Sequence, residues 1–265
     1  MSDTIWIEDK GDYLIVVSDN PAQKNVLTLA YHELQLEALK RATEEDRIAA
    51  VIFVGRNGYF SAGGELGLLA SSLDGSDEEK ATPINMFHAS IEAIRACPKP
   101  VIAAVNGGAA GGGLSTILAC DFIISEEEAT FLAAHVKIGV TLDGGLTAAL
   151  GKQLPRQLAT EMCMLGSVVT AETLAQYGLI NSIVPKGEAE AAAVKLAGKL
   201  ARGPVTTQAK IKSLLTAAPV NDLDAQLALE KSTLVETLGQ AAAKEGITAF
   251  LEKRRPDFPA AEGRA

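Results

Sequence analysis

A chain of 265 residues with 48% hydrophobic side chains is large enough to bury a full core, which excludes a disordered or fibrous protein. Aspartate and glutamate (33) outnumber lysine and arginine (24), and the formal charge of −9 leaves no basic field for holding nucleic acid or acidic lipid. The three cysteines, Cys97, Cys120 and Cys163, are widely spaced, so we expect a reduced cytoplasmic protein with neither a disulfide framework nor a zinc site.

Short apolar runs alternate with helical patterns in the part of the chain before residue 184. Strands are predicted at residues 4–8, 13–18, 49–55, 100–106 and 120–125. Helices are predicted between them, at about residues 28–45, 85–96 and 113–118. Strands that alternate with helices are typical of an α/β core.

The segment 67–83 interrupts this alternation. It follows a glycine pair and is rich in serine, aspartate and glutamate. Such a run is typical of solvated surface, so we predict a mobile acidic loop here.

Beyond about Val184 the strand signal disappears. Alanine- and leucine-rich stretches with helical character follow at residues 188–202, 205–217, 222–237 and 240–254. The C-terminal quarter of the chain is therefore predicted to be helical.

No targeting or membrane segment is expected. Met1-Ser2-Asp3 opens with polar and acidic character, whereas a signal segment begins with a basic and then an apolar region. Glycines also interrupt the most apolar region of the chain before it could span a bilayer.

Two glycine-rich stretches each follow an apolar run, at residues 60–66 (FSAGGEL) and 104–113 (AVNGGAAGGG). Such turns leave backbone N–H groups without partners in secondary structure. Two of them aimed at one point could hold a negatively charged oxygen in a water-poor pocket. Either stretch alone could equally mark a tight turn or close helix–strand packing. Together they suggest an oxyanion hole built from backbone groups.

In this order, the two stretches resemble the paired signatures of the enoyl-CoA hydratase/isomerase (crotonase) superfamily. Residues 23–27, 100–107, 119–121, 171–181 and 245–255 resemble further family segments, so the resemblance covers nearly the whole chain. It implies an α/β, crotonase-like (ClpP/crotonase) spiral of β-β-α turns over residues 1–200. It also implies a C-terminal helical trimerisation region over residues 201–265, with a homo-trimer or a hexamer made of two trimers.

The resemblance also implies the ligand and its contacts. The ligand is an acyl-CoA, with coenzyme A entering as part of the substrate and with no separate cofactor and no metal. The implied substrate and coenzyme contacts are Lys24, Asn25, Val26, Ala62, Gly64, Gly112, Phe250 and Lys253. Phe250 and Lys253 would come from a neighbouring subunit, where an ammonium can pair with phosphate. Val26 stands where the family usually has alanine, so adenine contacts can differ in detail.

The catalytic groups implied by the resemblance begin with the backbone N–H groups of Gly64 and Gly112, which correspond to the two oxyanion donors. Hydratases of the superfamily add two glutamates, at positions that hold Ser115 and His135 here, so hydration by two glutamates is not expected.

Asp143 matches the aspartate that some family isomerases use for proton transfer. An aspartate before Gly-Gly could also stabilise a turn or cap a helix. We predict that Asp143 is the base that shifts a double bond, in the pattern of 1,2-epoxyphenylacetyl-CoA isomerases and related enoyl-CoA isomerases.

His88 and His135 keep other reactions open. Aromatic acyl-CoA dehalogenases of the superfamily have a histidine at the position of His88 and a nucleophilic aspartate at that of Asp143, but a tryptophan where His135 stands. The alternative function is a hydratase, hydrolase or dehalogenase that uses His88, His135 and Asp143. Either histidine could instead be a packed or surface residue, and His32 has no motif around it.

A non-catalytic binding protein with the same fold is a second alternative. Some family members bind RNA. The first predicted helix places Lys40 and Arg41 beside several glutamates, however, and so lacks a cationic row for phosphates.

Overall fold

The computed structural model describes residues 4–264, so the expectation about Met1–Asp3 lies outside the described residues. The β-strands are β1 Ile5–Asp9, β2 Tyr13–Ser18, β3 Ala50–Gly55, β4 Val101–Val105, β5 Gly108–Ala110, β6 Phe122–Glu126, β7 Thr130–Leu132, β8 Val169–Thr170 and β9 Ser182–Val184. The α-helices are α1 Leu29–Glu44, α2 Leu66–Ser71, α3 Asp77–Ala96, α4 Gly112–Ala119, α5 Leu146–Gln153, α6 Arg156–Leu165, α7 Ala171–Gln176, α8 Ala189–Ala201, α9 Val205–Ala217, α10 Leu223–Leu238, α11 Ala241–Leu251 and α12 Phe258–Ala261.

The larger sheet has the strand order β1-β2-β3-β4-β6-β9. β1 pairs with β2 in antiparallel fashion, and the remaining neighbours are parallel. Every residue of β3 is buried, as expected for a parallel strand covered on both faces. A smaller sheet, ordered β5-β7-β8, brings the second glycine-rich stretch alongside the first through a bridge between Ser61 and Ala109.

Helices cover both faces of the larger sheet. Residues of α1, α3 and α4 share one apolar core with alternate residues of β2, β3 and β4. On the opposite face, Ala189, Ala193 and Ala197 of α8 pack against the other residues of these strands. Alanines four residues apart form one face of a helix, and their small side chains let α8 lie close to the sheet.

The prediction of a mobile loop over residues 67–83 was wrong. Most of this segment belongs to helices α2 and α3, and α3 begins with a capping box. The Ser76 N–H donates to Glu79 Oε2 at 2.6 Å, and the Glu79 N–H donates to Ser76 Oγ at 3.3 Å. The acidic side chains Asp77, Glu78 and Glu79 occupy the first turn, where the positive end of the helix dipole favours them. The acidic run therefore marks a helix start.

The other long predicted elements are confirmed, including the helical C-terminal region. The short strands β5, β7, β8 and β9 had not been predicted, because two or three residues are too few to show a periodicity. The helices α5 to α7 had not been predicted either. Among the helices between residues 4 and 264, none is long and apolar enough to cross a membrane.

Candidate active site

The two glycine-rich stretches meet at one cleft. Gly64 lies in the turn before α2, Gly112 is the first residue of α4, and both line a cleft that is open to solvent. The stretches run side by side, with the Ala110 N–H donating to the Ser61 carbonyl at 2.9 Å. Neither the Gly64 nor the Gly112 N–H donates a hydrogen bond to any residue between 4 and 264. Two backbone donors are therefore available at the cleft.

Gly63 shows how closely the two turns approach each other. Its φ of +99° lies in the region that favours glycine. A Cβ at this position would lie 2.9 Å from the Ala110 carbonyl oxygen and 3.1 Å from the Gly112 nitrogen. A side chain at residue 63 would therefore separate the two donors.

The wall of the cleft is mainly apolar. Leu27, Leu68, Ile84 and Phe87 line it together with Leu29, Leu69 and Pro83. Two carboxylates, those of Glu65 and Asp143, also line it. No lysine or arginine of the described chain lies among the lining residues, so the cleft suits a neutral acyl group.

Asp143 lies on the loop before α5 and is held by two partners. His135 Nε2 lies 3.0 Å from Asp143 Oδ1. The Ser115 hydroxyl donates to the Asp143 carbonyl oxygen at 3.1 Å. Ser115 and His135, which stand where the hydratases of the superfamily have glutamates, thus both contact Asp143. The arrangement orients a single carboxylate towards the cleft that contains the free amides.

His88 contacts the same loop from outside the cleft. Its side chain is exposed and does not line the cleft. His88 Nε2 accepts a hydrogen bond from the Gly144 N–H at 3.3 Å, which requires the tautomer that is protonated on Nδ1. In this arrangement His88 supports the backbone next to Asp143.

The early turn at Lys24, Asn25 and Val26 lies beside the first glycine stretch, with the Ala62 N–H donating to the Lys24 carbonyl at 2.9 Å. Asn25 is fully buried. Its Nδ2 donates to the carbonyls of Arg56 and Tyr59, at 2.9 and 2.6 Å, and its Oδ1 accepts from the Asn20 N–H at 2.6 Å. The Asn25 side chain is therefore occupied in shaping the turn. Lys24 is exposed, with its ammonium 5.6 Å from the centre of the Tyr59 ring.

Phe250 and Lys253 lie apart from this cleft within one chain. Phe250, near the end of α11, is 82% exposed, and Lys253 follows the helix with a φ of +56°. Neither residue lines the cleft. Their predicted contact with the nucleotide remains a prediction that requires a second subunit.

His32 is a cleft residue that the sequence analysis did not identify as functional. It lies in the first turn of α1, is only 5% exposed, and packs against Phe87 with 5.4 Å between ring centres. Burial lowers the pKa of its imidazole to about 4, so the ring is neutral at pH 7. No local sequence motif marks this residue. The pairing of Leu27 with Gly64, which are far apart in the sequence, brings the start of α1 and with it His32 to the cleft.

The sequence profile of the enoyl-CoA hydratase/isomerase family matches residues 13–261. A Rhodobacter capsulatus protein named as a probable enoyl-CoA hydratase is 37% identical over 96% of this chain and 97% of its own length. The 1,2-epoxyphenylacetyl-CoA isomerase of Escherichia coli is 31% identical over 94% of this chain and 95% of its own. The crystal structure of an enoyl-CoA hydratase from Polaromonas sp. JS666 superimposes with a TM-score of 0.92 and 38% identity, covering 95% of this chain and 98% of that one. The chain belongs to the enoyl-CoA hydratase/isomerase family, and its fold is that of a crotonase.

Proposed function

We propose that this protein is an enoyl-CoA isomerase that moves a carbon–carbon double bond between the β,γ and α,β positions of an acyl-CoA. One observation carries the proposal: Gly64, Gly112 and Asp143 line the same cleft, and the N–H groups of the two glycines have no hydrogen-bond partner among residues 4–264. The two amides would accept the thioester oxygen, and the carboxylate would face the carbons next to it. This arrangement stabilises the negative charge that appears when a proton leaves the α-carbon.

The reaction is a proton transfer between two carbons. Asp143 removes a proton from the α-carbon of the β,γ-enoyl thioester, and the electron pair spreads over the dienolate, with charge on the thioester oxygen. The protonated carboxyl then returns the proton to the γ-carbon, which leaves the double bond at the α,β position. No atom is gained or lost, so a single acid–base group is sufficient.

His135 is assigned a positioning role in this mechanism. With its Nε2 3.0 Å from Asp143 Oδ1, the ring donates a hydrogen bond to the ionised carboxylate and fixes its orientation. The hydrogen bond from Ser115 to the Asp143 backbone holds the loop in the same position. The remaining carboxylate oxygen is then the one available to take up the substrate proton.

A hydratase is the second candidate, and the same imidazole–carboxylate pair favours it. A carboxylate hydrogen-bonded to an imidazole can also activate water for addition to an α,β-enoyl thioester. The Rhodobacter capsulatus and Polaromonas proteins are both named as hydratases. The two functions differ in whether the product contains an added water.

Mass spectrometry of reactions in deuterated water distinguishes the two functions. The purified chain is incubated separately with 3-hexenoyl-CoA and 2-hexenoyl-CoA. An isomerase converts the first into the second and incorporates deuterium with no gain of water. Addition of water to 2-hexenoyl-CoA would instead establish the hydratase, and binding of acyl-CoA without any turnover would favour a non-catalytic binding protein.

We also propose that the C-terminal helices mediate assembly into trimers. α10 has no buried residue, and α10 and α11 expose large apolar side chains, among them Leu234, Val235, Phe250 and Leu251. Exposed apolar surface of this kind is typical of a protein–protein interface. Light scattering of the full chain should give the mass of a trimer or of two trimers, whereas a monomer would contradict the proposal.

A further inference from the structure

A buried polar cluster interrupts the apolar wall of the cleft at the start of α1. His32 is 5% exposed and Gln35, one turn further along, is fully buried. His32 Nδ1 and both amide atoms of Gln35 have no hydrogen-bond partner within the described part of the chain. The Gln35 amide lies near enough to the imidazole to act as a weak hydrogen-bond partner that raises its pKa, although no hydrogen bond of normal geometry joins the two side chains.

Such a cluster is unusual in a protein interior. Most buried side-chain polar atoms have a hydrogen-bond partner, and leaving one unpaired costs stability. The neighbouring rings of Phe87 and Tyr31, centred 5.4 and 5.9 Å from the His32 ring, present apolar surface to it. The three unpaired atoms of His32 and Gln35 are closed to solvent, whereas His32 Nε2 is not among the sealed atoms and also has no hydrogen bond to residues 4–264. Because His32 lines the cleft, Nε2 can take its partner from a bound molecule.

The chemistry of the cleft limits what that partner can be. The charged side chains that line it are Glu65 and Asp143, and no lysine or arginine of residues 4–264 lies among the lining residues. A carboxylate on the acyl chain would therefore meet two negative charges and no cation. The imidazole is neutral because burial lowers its pKa to about 4, so it can donate one hydrogen bond and accept another.

We infer that His32, supported by Gln35, binds a neutral oxygen substituent, a hydroxyl or a carbonyl, on the acyl chain of the substrate. The inference rests on the proposed function, since it takes the bound molecule to be an acyl-CoA with its thioester at Gly64 and Gly112. It makes His32 a specificity-determining residue for oxygenated over plain acyl chains.

Calorimetric binding of saturated acyl-CoA ligands to the full chain tests this inference without depending on turnover. The ligands are hexanoyl-CoA, the 4-, 5- and 6-hydroxyhexanoyl-CoA isomers, and adipyl-CoA as the carboxylate-bearing probe. We expect at least one hydroxylated ligand to bind about fivefold or more tightly than hexanoyl-CoA, the effect of one neutral hydrogen bond. Adipyl-CoA should bind more weakly than hexanoyl-CoA.

Three variants connect the preference to the cluster. His32→Leu should abolish the preference for the hydroxylated ligand and retain hexanoyl-CoA binding, whereas His32→Gln should keep part of it because an amide also donates and accepts. Gln35→Met should weaken the preference. Thermal unfolding of each variant checks that it is folded.

The outcomes separate this inference from the proposed function. If the protein binds hexanoyl-CoA without any preference for a hydroxyl group, or if the preference survives in a folded His32→Leu variant, the inference about His32 is wrong and an enclosed water is the better partner. If no acyl-CoA binds, the proposed function fails together with the inference.

Discussion

His135 Nε2 lies 3.0 Å from Asp143 Oδ1, and Asp143 lines the same cleft as Gly64 and Gly112. The contact joins a 3₁₀ turn at Ala134–Ile138 to the loop before α5. One carboxylate oxygen is thereby occupied by the imidazole. An orientation set before substrate binds lowers the cost of reaching the transition state.

Replacement of Asp143 by asparagine tests the proton-transfer role directly. Asp143→Asn preserves the shape of the side chain and removes its basicity, so we expect turnover of 3-hexenoyl-CoA to fall by at least about a hundredfold, with little loss of coenzyme affinity. Steady-state kinetics and calorimetric binding measure the two quantities. Asp74→Asn, at an exposed position, is the matched control and should leave both unchanged. Full activity in Asp143→Asn would return Asp143 to a role in forming the turn.

A methyl group at Gly63 should disrupt the spacing of the two backbone donors. In Gly63→Ala the new Cβ would lie 2.9 Å from the Ala110 carbonyl oxygen and 3.1 Å from the Gly112 nitrogen, so the turns must move apart, and we expect kcat/KM to fall by about a hundredfold or more. Gly11→Ala is the matched control, because Gly11 has a similar φ of +90° but nothing within 4 Å of an added Cβ. Equal kinetic losses in the two variants would mean that backbone strain, and not donor spacing, is responsible.

Lys212 should be a main contributor to the stability of α9 on the core. Its ammonium donates to Asp121 Oδ2 at 2.6 Å and to the carbonyls of Ile94 and Lys99 at 3.0 and 3.3 Å. Lys212→Met leaves the Ile94 and Lys99 carbonyls without this donor and removes the cation beside Asp121, whose 25% exposed side chain keeps the Val101 N–H as a donor. We therefore expect the free energy of unfolding to fall by about 2 kcal/mol. Urea denaturation at a fixed protein concentration measures this change.

The charge on Asp121 provides the control for that experiment. Asp121→Asn in the Lys212→Met background removes the uncompensated negative charge and should recover part of the lost stability. If Asp121→Asn lowers the free energy of unfolding as much in the Lys212→Met background as in the unmodified protein, the two side chains do not interact in the way described.

Burial of His32 should make the protein less stable in mild acid. The imidazole has a pKa near 6.5 when unfolded and about 4 in the native protein, where burial outweighs the opposing effects of the Gln35 amide and the Asp143 carboxylate. Below pH 6.5 the unfolded chain therefore binds a proton that the native protein does not. Stability should decrease from pH 7 to pH 4.5 by about 2.5 kcal/mol through this group alone.

The His32→Leu variant isolates this contribution. Its free energy of unfolding, measured by urea denaturation at several pH values, should depend less steeply on pH over the same interval. The remaining slope then comes from other titrating groups. Identical slopes for His32→Leu and the unmodified protein would show that His32 titrates normally in the native state.

The helix start at Ser76 and Glu79 illustrates a signal that was present in the sequence but outweighed by composition. The serine and the glutamate three residues later are the pattern of a capping box, yet the acidic run around them is also typical of loops. What resolves the ambiguity is the apolar face of α3 further along, where Phe87, Ile91 and Ile94 pack into the core. Burial of that face stabilises a helix that local composition alone does not specify.

By itself the sequence determined the family, the long strands and helices, and the two glycine turns with Asp143 as the candidate base, because each of these depends on a local pattern or a contiguous motif. Only the tertiary structure decided that Ser115 and His135 both contact Asp143, that Asn25 is buried within its turn, and that His32 lines the cleft. These relationships join residues from separate segments, and burial depends on what packs against a side chain from elsewhere in the chain. No local periodicity records such contacts, so they emerge only when the sheet and its helices are assembled.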